Sequence, residues 1–355
     1  MKKGSFGRPK TEPTTPKLRD VSAGPETPQQ AILNLKNAVI LPETKVAYKI
    51  VNKFTGQIGG NAHGGAIYGE LTIKSMQKMT TMMEEFMNLS EASAVIDVGA
   101  GLGKPNIHFA CDPCVNFSYG VEMEEVRWRL SLSNLLPLLK HDEEKKNKAK
   151  NVILEFGDIT SAKTFNPFTH VYMFDIGFPG ALFLKIAHMW NTSEKEAEWM
   201  VCYHGPKIMI DRYGFDLDFM FQVATSMHGS GEGHTGYFYR RKNMDELIAK
   251  ADAAAAKKNV ITPVSGMESM KVKDKTPNAK KKLNVAAEIN APVEPPVVIV
   301  PRKCDPMFQS AYDLVTKGGR KEMIKWVGGE LEKFESSGRP VRDRKKTSFF
   351  EGKAK

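Results

Sequence analysis

A glycine-rich turn follows an apolar strand in residues 95–106, which read VIDVGAGLGKPN. The run VIDV is typical of a short buried strand, and Gly99, Gly101 and Gly103 allow a tight turn into a helix that begins near Lys104. A strand, a glycine turn and a helix in this order build the ligand site of open α/β sheets, where the ligand lies at the helix N-terminus. The segment therefore predicts an α/β fold with a nucleotide-like ligand.

Strand and helix patterns alternate around this turn. Short apolar runs predict strands at residues 94–99, 117–124, 151–159, 170–179, 198–206, 218–227 and 235–242, and periodic segments predict helices at 103–112, 125–141 and 181–191. Such alternation implies a doubly wound, mostly parallel seven-stranded sheet. The last two strands, joined by a polar turn, predict an antiparallel hairpin at one edge. Pro137 predicts a kink or break in the second helix.

The remaining sequence differs in composition from this α/β core. We expect a disordered basic arm at residues 1–40, a folded domain at 41–242 that consists of a loop and helix at 54–90 and the α/β core at 91–242, a low-complexity linker at 243–300, and a helical segment with a basic tail at 301–355. The loop and helix form an N-terminal extension of the core. Methionines at helical spacing in its helix predict a packed face.

The net charge of +10 is unevenly distributed. Residues 1–60 carry 10 basic and 4 acidic side chains, residues 61–239 carry 15 and 22, and residues 240–355 carry 26 and 15. Basic ends around an acidic middle favour an anionic partner such as nucleic acid or nucleosomes, although they would also serve solubility alone. Two basic clusters, at residues 278–284 and 339–349, are typical of nuclear import signals, so we expect a nuclear protein.

Cysteine usage and hydropathy exclude several classes of protein. Four cysteines in 355 residues are too few for a disulfide scaffold, which indicates a reducing compartment. Cys111 and Cys114 form a single CxxC pair, and no second ligand pair follows, so we expect no metal site. No apolar run reaches the ~18 residues that span a bilayer, so we expect no membrane segment.

Acidic residues at successive strand ends decide between two ligand classes. Dinucleotide folds use GxGxxG, whereas the spacing here is GxGxG, followed by Lys104. Asp97 stands two residues before the first glycine, where a carboxylate can face the ammonium of a methionine moiety. Glu122 ends the second strand and can accept from ribose hydroxyls. Asp158 follows the third strand and can accept from the adenine amino group, with Ile159 or Phe156 against the ring. This pattern favours S-adenosylmethionine in a Rossmann-like class I methyltransferase.

Five segments together resemble the Dot1 family of histone H3 lysine methyltransferases, which are class I enzymes without a SET domain. The segments, in chain order, are AIYGELT (66–72), VIDVGAGLGKPNIHFA (95–110), YGVEME (119–124), FGDI (156–159) and VYMFDIGFP (171–179). The Tyr-Gly-Glu loop upstream of the first strand is more specific than the glycine motif. The resemblance covers residues 60–210 and implies S-adenosylmethionine as cofactor, a lysine of the nucleosome core as substrate, and histone H3 in the nucleosome as partner.

The resemblance also implies roles for individual residues. Tyr68 and Glu70 would close over the methionine end of the cofactor. The methionine and ribose would be held by Asp97, Gly99, Gly101, Gly103 and Glu122, and adenine by Asp158 and Ile159. Asp175 and Phe178 would face the methyl group and the incoming lysine, with Phe174 and Tyr68 as further channel walls.

Two positions depart from the pattern of the family. The family commonly has glutamine after the third glycine, where this chain has Lys104 and then Pro105. Its fourth-strand motif usually begins with two asparagines, where this chain has Asp175 and Ile176. An acid at that position would attract a lysine ammonium but would also delay its deprotonation.

The expected reaction is in-line attack of a neutral amine on the sulfonium methyl, driven mainly by alignment of the reacting atoms. One alternative is an RNA or DNA methyltransferase of the same fold, although base amino-methylation usually requires an Asn/Asp-Pro-Pro-aromatic turn and the chain has DIGF (175–178). A second alternative is a binding module that keeps the cofactor fold without turnover.

Overall fold

A computed structural model describes residues 27–35, 38–51, 70–145, 151–227, 233–246, 249 and 303–336. Most of the glycine-dense loop, including Tyr68, lies outside the described residues. Most of the predicted linker, the final basic tail and residues 1–26 of the N-terminal arm also lie outside them. The predictions made for these segments therefore remain predictions.

Seven strands of the described chain form one sheet. They are β1 (Ala94–Val98), β2 (Phe117–Glu122), β3 (Val152–Phe156), β4 (His170–Met173), β5 (Trp199–Cys202), β6 (Leu217–Ser226) and β7 (Gly233–Arg241). Their order is β3-β2-β1-β4-β5-β7-β6, with β1 to β5 parallel and β7 antiparallel to both neighbours. This confirms the doubly wound, Rossmann-like sheet of class I methyltransferases, including its closing hairpin.

Eight α-helices are described around this sheet. They are α1 (Pro28–Asn34), α2 (Pro42–Val51), α3 (Ile73–Phe86), α4 (Lys104–Cys111), α5 (Glu125–Lys145), α6 (Gly180–Thr192), α7 (Gln309–Lys317) and α8 (Arg320–Ser336). The predicted break at Pro137 is wrong, because α5 continues through it to Lys145. Leu135 and Leu138, on either side of this proline, are both fully buried, so packing against the core outweighs the local cost of the proline.

The helix α1 corrects the predicted disorder of residues 1–40. Thr27 caps it, since the Thr27 Oγ1 accepts from the Gln30 amide and the Gln30 side chain accepts from the Thr27 amide. Such a capping box stabilises a helix start, and Ala31 and Leu35 then pack against the core. Proline and threonine are typical of disordered segments, which is why composition did not indicate this helix. Here they favour its start, because Thr27 is the N-cap and Pro28 is the first helical residue.

The core lies on both faces of the sheet. One face packs against α3 and α1, and the predicted methionine face of α3 is buried there through Met76, Met79 and Met83. The opposite face packs against α5, α6 and the C-terminal helices. Both β1 and β2 are buried along their whole length, as expected of central strands in a doubly wound sheet.

The C-terminal helices belong to this core. Phe308, just before α7, is fully buried, and its ring lies 4.9 Å from that of Phe168 and 5.2 Å from that of Tyr119. Met323 and Val327 of α8 are also buried in the same cluster. The amphipathic periodicity predicted the helices, but it gave no indication that they pack against β2, β3 and α5.

Candidate functional site

A cavity of about 380 Å³ lies beyond the carboxyl ends of β1 to β4. Strand order reverses here, because β1 has β2 on one side and β4 on the other. Open α/β sheets bind their ligands at such a switch point. The lining includes the predicted residues Glu70, Asp97, Gly99, Gly101, Glu122, Asp158, Ile159 and Phe178.

The glycine turn depends on missing side chains at two positions. Gly103 has φ +71° immediately before α4, and a Cβ there would lie 2.6 Å from the Leu154 Cδ1. Gly120 of β2 was not singled out from the sequence, yet a Cβ at this position would lie 2.7 Å from the Ala100 Cβ and from the Asn106 Oδ1. Because Gly120 has no side chain, the turn lies directly against β2.

Asp97 is the most unusual acid of the cavity. Its side chain is 2% exposed, and its Oδ2 has no hydrogen-bond partner among the described residues. Burial raises the pKa of this carboxyl well above its ordinary value, and the nearby Glu122 raises it further. A buried acceptor in a ligand cavity without a partner marks the position of a donor on the ligand.

Glu122 supports the glycine turn. Its Oε2 accepts from the Gly101 amide at 2.8 Å, and its Oε1 accepts from the Glu124 amide at 2.8 Å. Each carboxylate oxygen has further lone pairs for a ligand. The acid predicted for a ribose is thus held in a fixed position at the cavity wall, 5% exposed.

Asp158 and Ile159 follow β3, the strand next to the one that Glu122 ends. The Asp158 Oδ1 accepts from the Thr160 amide at 2.8 Å and caps a 3₁₀ turn, Ile159–Ser161. Ile159 is 6% exposed and lines the cavity. At the end of the cavity next to β2 and β3, Asp158 therefore presents an acidic surface and Ile159 an apolar one.

Lys104, which departs from the family pattern, forms an ion pair with Glu70. The two side chains are 7% and 8% exposed, and both residues line the cavity. Pro105 stands in the first turn of α4, where a missing amide hydrogen costs nothing. Both departures from the family pattern therefore have a structural reason. Lys104 forms an ion pair with Glu70, and Pro105 suits the first turn of α4.

We expect Lys104→Gln and Glu70→Gln each to cost about 3–5 kcal/mol, since each breaks a buried ion pair by removing one of its two charges. The double variant should cost clearly less than the sum of the two. Urea unfolding of the four proteins measures this coupling. The exposed pair Lys317 and Asp313, treated in the same way, should show no measurable coupling. Additive costs at Lys104 and Glu70 would contradict the prediction.

Asp175 corrects a predicted position. It was expected to face the methyl group, but it is fully buried and its Oδ1 accepts from the Tyr203 amide at 2.7 Å. Its Oδ2 lies 2.9 Å from the His204 Nδ1, and this contact raises the pKa of His204. The carboxylate therefore connects the ends of β4 and β5, and Asp175 is absent from the described lining of the cavity.

Aromatic and apolar side chains line the cavity where β4 ends. Phe174, Ile176, Phe178 and Pro179 all reach it, and the role of Phe174 and Phe178 as channel walls stays a prediction. Tyr68, the third, lies outside the described residues. No sequence pattern indicated Tyr48 of α2, which also lines the cavity and has its hydroxyl 3.2 Å from the buried His108 Nδ1.

Two other classes of site were sought in the described residues. No group of three or more His, Cys, Asp or Glu side chains there could hold a metal ion. Cys111 is buried and Cys114 is partly exposed. No helix within the described part of the chain is long and apolar enough to cross a membrane.

The sheet and its cavity define a chain with the class I methyltransferase fold. No protein-family model matches the chain, and no curated protein sequence matches it. Among solved structures, it is similar to a protein of Thermoplasma acidophilum (11% identity, TM-score 0.38, 57% of this chain and 99% of that chain). Two further similar structures hold S-adenosylhomocysteine: the magnesium protoporphyrin IX methyltransferase of Synechocystis (11% identity, TM-score 0.36, 60% and 93%) and an RNA methyltransferase of Salinibacter ruber (17% identity, TM-score 0.34, 46% and 91%).

Proposed function

We propose that this protein is an S-adenosylmethionine-dependent methyltransferase. The observation that carries the proposal is the buried Asp97 carboxylate, whose Oδ2 has no hydrogen-bond partner among the described residues although it lies at the cavity wall. A carboxylate in this state fits a cationic donor, and the ammonium of a methionine moiety is such a donor. The GxGxG spacing beside it favours this cofactor over a dinucleotide.

The other cavity residues fit the rest of the cofactor. Glu122 would accept hydrogen bonds from the ribose hydroxyls with its remaining lone pairs. Ile159 would pack on the adenine ring, and Asp158 would accept a hydrogen bond from the adenine amino group. The bound cofactor supplies an electrophilic methyl group on a sulfonium. The nucleophile would enter at the end of the cavity where β4 ends. Phe174 and Phe178 line that end and would lie beside the nucleophile.

We propose a protein lysine as the substrate, in the manner of the Dot1 family. The β4 end of the cavity is lined by Phe174, Ile176, Phe178 and Pro179. Such an apolar channel favours the neutral form of an amine because burial disfavours its charged form. The Asp175 carboxylate is fully buried against Tyr203 and His204 and is absent from the described lining of the cavity, which disfavours a role in accepting from the amino group of a flipped base.

The basic ends of the chain support a nucleosomal substrate. Residues 240–355 carry 26 basic and 15 acidic side chains, and residues 1–60 carry 10 and 4. Such segments bind DNA phosphates without sequence preference, which would hold the enzyme on a nucleosome and imply a nuclear location. The same charge would also suit RNA, which makes an RNA methyltransferase the second candidate.

Methyl transfer from labelled S-adenosylmethionine to nucleosomes, free histone H3 and total RNA tests these proposals. We expect label on a lysine of H3, more on nucleosomes than on free histone, and a steep decline with salt. Asp97→Asn should abolish transfer. Glu196→Gln should leave transfer unchanged, because Glu196 is exposed and precedes β5, at the end of the strands away from the cavity. Label on RNA alone would favour the second candidate, and binding without any transfer would favour the binding module.

A further inference from the structure

Asp305 connects the C-terminal segment to the loop that follows β3 and its 3₁₀ turn. The residue is 6% exposed. Its Oδ2 accepts from the amides of Lys163 and Thr164, both at 3.0 Å, and from the Thr164 hydroxyl at 3.3 Å. The Asp305 amide in turn donates to the Asn166 carbonyl at 3.0 Å. One buried residue thus fixes a run of loop backbone 140 positions away in sequence.

The same segment reaches the start of this loop. The Met307 side chain lies next to Gly157, since a Cβ added to that glycine would lie 3.5 Å from the Met307 Cε. The Met307 amide donates to the Asp305 Oδ1 at 3.1 Å, so the two contacts belong to one rigid turn. Between them lie Asp158 and Ile159, which line the cavity.

The intervening loop is held only in part by contacts of its own. Ile159 and Ala162 are buried in the core, whereas Asp158, Ser161 and Lys163 are exposed, and the only regular structure of the loop is the 3₁₀ turn Ile159–Ser161. A half-exposed loop of this kind opens locally more easily when a contact that holds its backbone is removed. A carboxylate that accepts several backbone hydrogen bonds is a strong constraint because each of these bonds is charge-assisted.

We propose that Asp305 is a positioning residue that holds Asp158 and Ile159 in the geometry that recognises adenine. The inference rests on the proposed cofactor. It assigns part of the cofactor site to a segment that follows the seven-stranded sheet in sequence. Asp305 acts through the backbone of residues 163–166 and need not touch the ligand.

Asp305→Ala tests this in the full chain, with Val327→Ala of α8 as the matched control. Val327 is fully buried in the same C-terminal unit, but it belongs to α8, further along the chain than the turn that contacts the loop. Titration calorimetry should show that Asp305→Ala raises the Kd for S-adenosylhomocysteine about tenfold, the effect of losing roughly one charge-assisted hydrogen bond. Val327→Ala should change this Kd less than about twofold, even where it lowers the melting temperature equally.

A second measurement separates positioning from general weakening. The wild type should prefer S-adenosylhomocysteine to S-inosylhomocysteine, in which hypoxanthine replaces adenine, and Asp305→Ala should lose this preference. Hydrogen exchange at residues 157–164 should increase in Asp305→Ala alone. An unchanged preference, or equal effects in both variants, would overturn the role of Asp305. Absence of S-adenosylhomocysteine binding by the wild type would instead overturn the proposed function, and this inference with it.

Discussion

Asp97→Asn is expected to make the ligand-free protein more stable and to abolish tight binding of S-adenosylhomocysteine. In the ligand-free protein, Asp97 is buried next to the Glu122 carboxylate, and its Oδ2 has no partner among the described residues. An amide of the same shape is neutral without taking up a proton, so it avoids a cost of about 1.4 kcal/mol for each unit by which the folded-state pKa of Asp97 exceeds the pH. The melting temperature should therefore rise by a few degrees, at about 2–4 °C per kcal/mol.

The same substitution removes the partner of the ligand ammonium. Truncating one member of a buried charge pair costs about 2–5 kcal/mol, so the Kd should increase at least about 30-fold. Opposite changes in stability and affinity are the expected signature of a binding residue that is strained without its ligand. Thermal melts and calorimetry on the same preparation measure both.

The pH dependence of stability provides a further test of Asp97. Burial raises its pKa, so the folded state keeps this proton at pH values where the unfolded chain, with a pKa of about 3.9, has lost it. Folding then takes up a proton, and the free energy of unfolding decreases as the pH rises from about 4 to the folded-state pKa. Asp97→Asn should show a smaller decrease, because among the described carboxyls only Glu84, whose pKa burial raises to about 7, and Glu155, whose pKa burial also raises, still contribute to it. Glu196→Gln should show the full decrease. A parallel pH profile in wild type and Asp97→Asn would contradict the assignment.

The sequence was most informative where the chemistry is local. A buried strand, three glycines with positive φ and a helix are adjacent in the chain, so their arrangement follows from backbone sterics. The acids at successive strand ends were predictable for a similar reason, because parallel strands bring their carboxyl ends to one edge. Asp97, Glu122 and Asp158 accordingly line one cavity.

The sequence was least informative where a side chain chooses among distant partners. Asp175 ends β4 as predicted, but whether its carboxylate turns to the cavity or to Tyr203 and His204 depends on how β5 ends. Lys104 seemed anomalous because its partner, Glu70, is 34 positions away. Hydrophobic periodicity likewise identified α7 and α8 but not the surface that they cover, since it reports only that one face of each helix is apolar.

Removal of the C-terminal helices is expected to destroy the fold, although composition suggested that residues 243–355 are an appendage. Phe308 packs against Phe168 and Tyr119. Phe308→Ala by itself should lower the free energy of unfolding by about 3–5 kcal/mol. Ending the chain at residue 302 removes Met323 and Val327 as well and exposes the apolar face of α5. Against a total stability of about 5–15 kcal/mol, we expect this protein to be insoluble or to lack a cooperative thermal transition.

A chain that ends at residue 336 is the matched control, because it keeps every described contact of α7 and α8. It should melt at the wild-type temperature and bind S-adenosylhomocysteine with the wild-type Kd, while losing affinity for nucleosomes through the basic residues 337–355. This pair of truncations divides the C-terminal region into a structural part and an electrostatic part. A folded chain ending at residue 302 that binds S-adenosylhomocysteine normally would show that the helices are dispensable, and it would also contradict the role of Asp305.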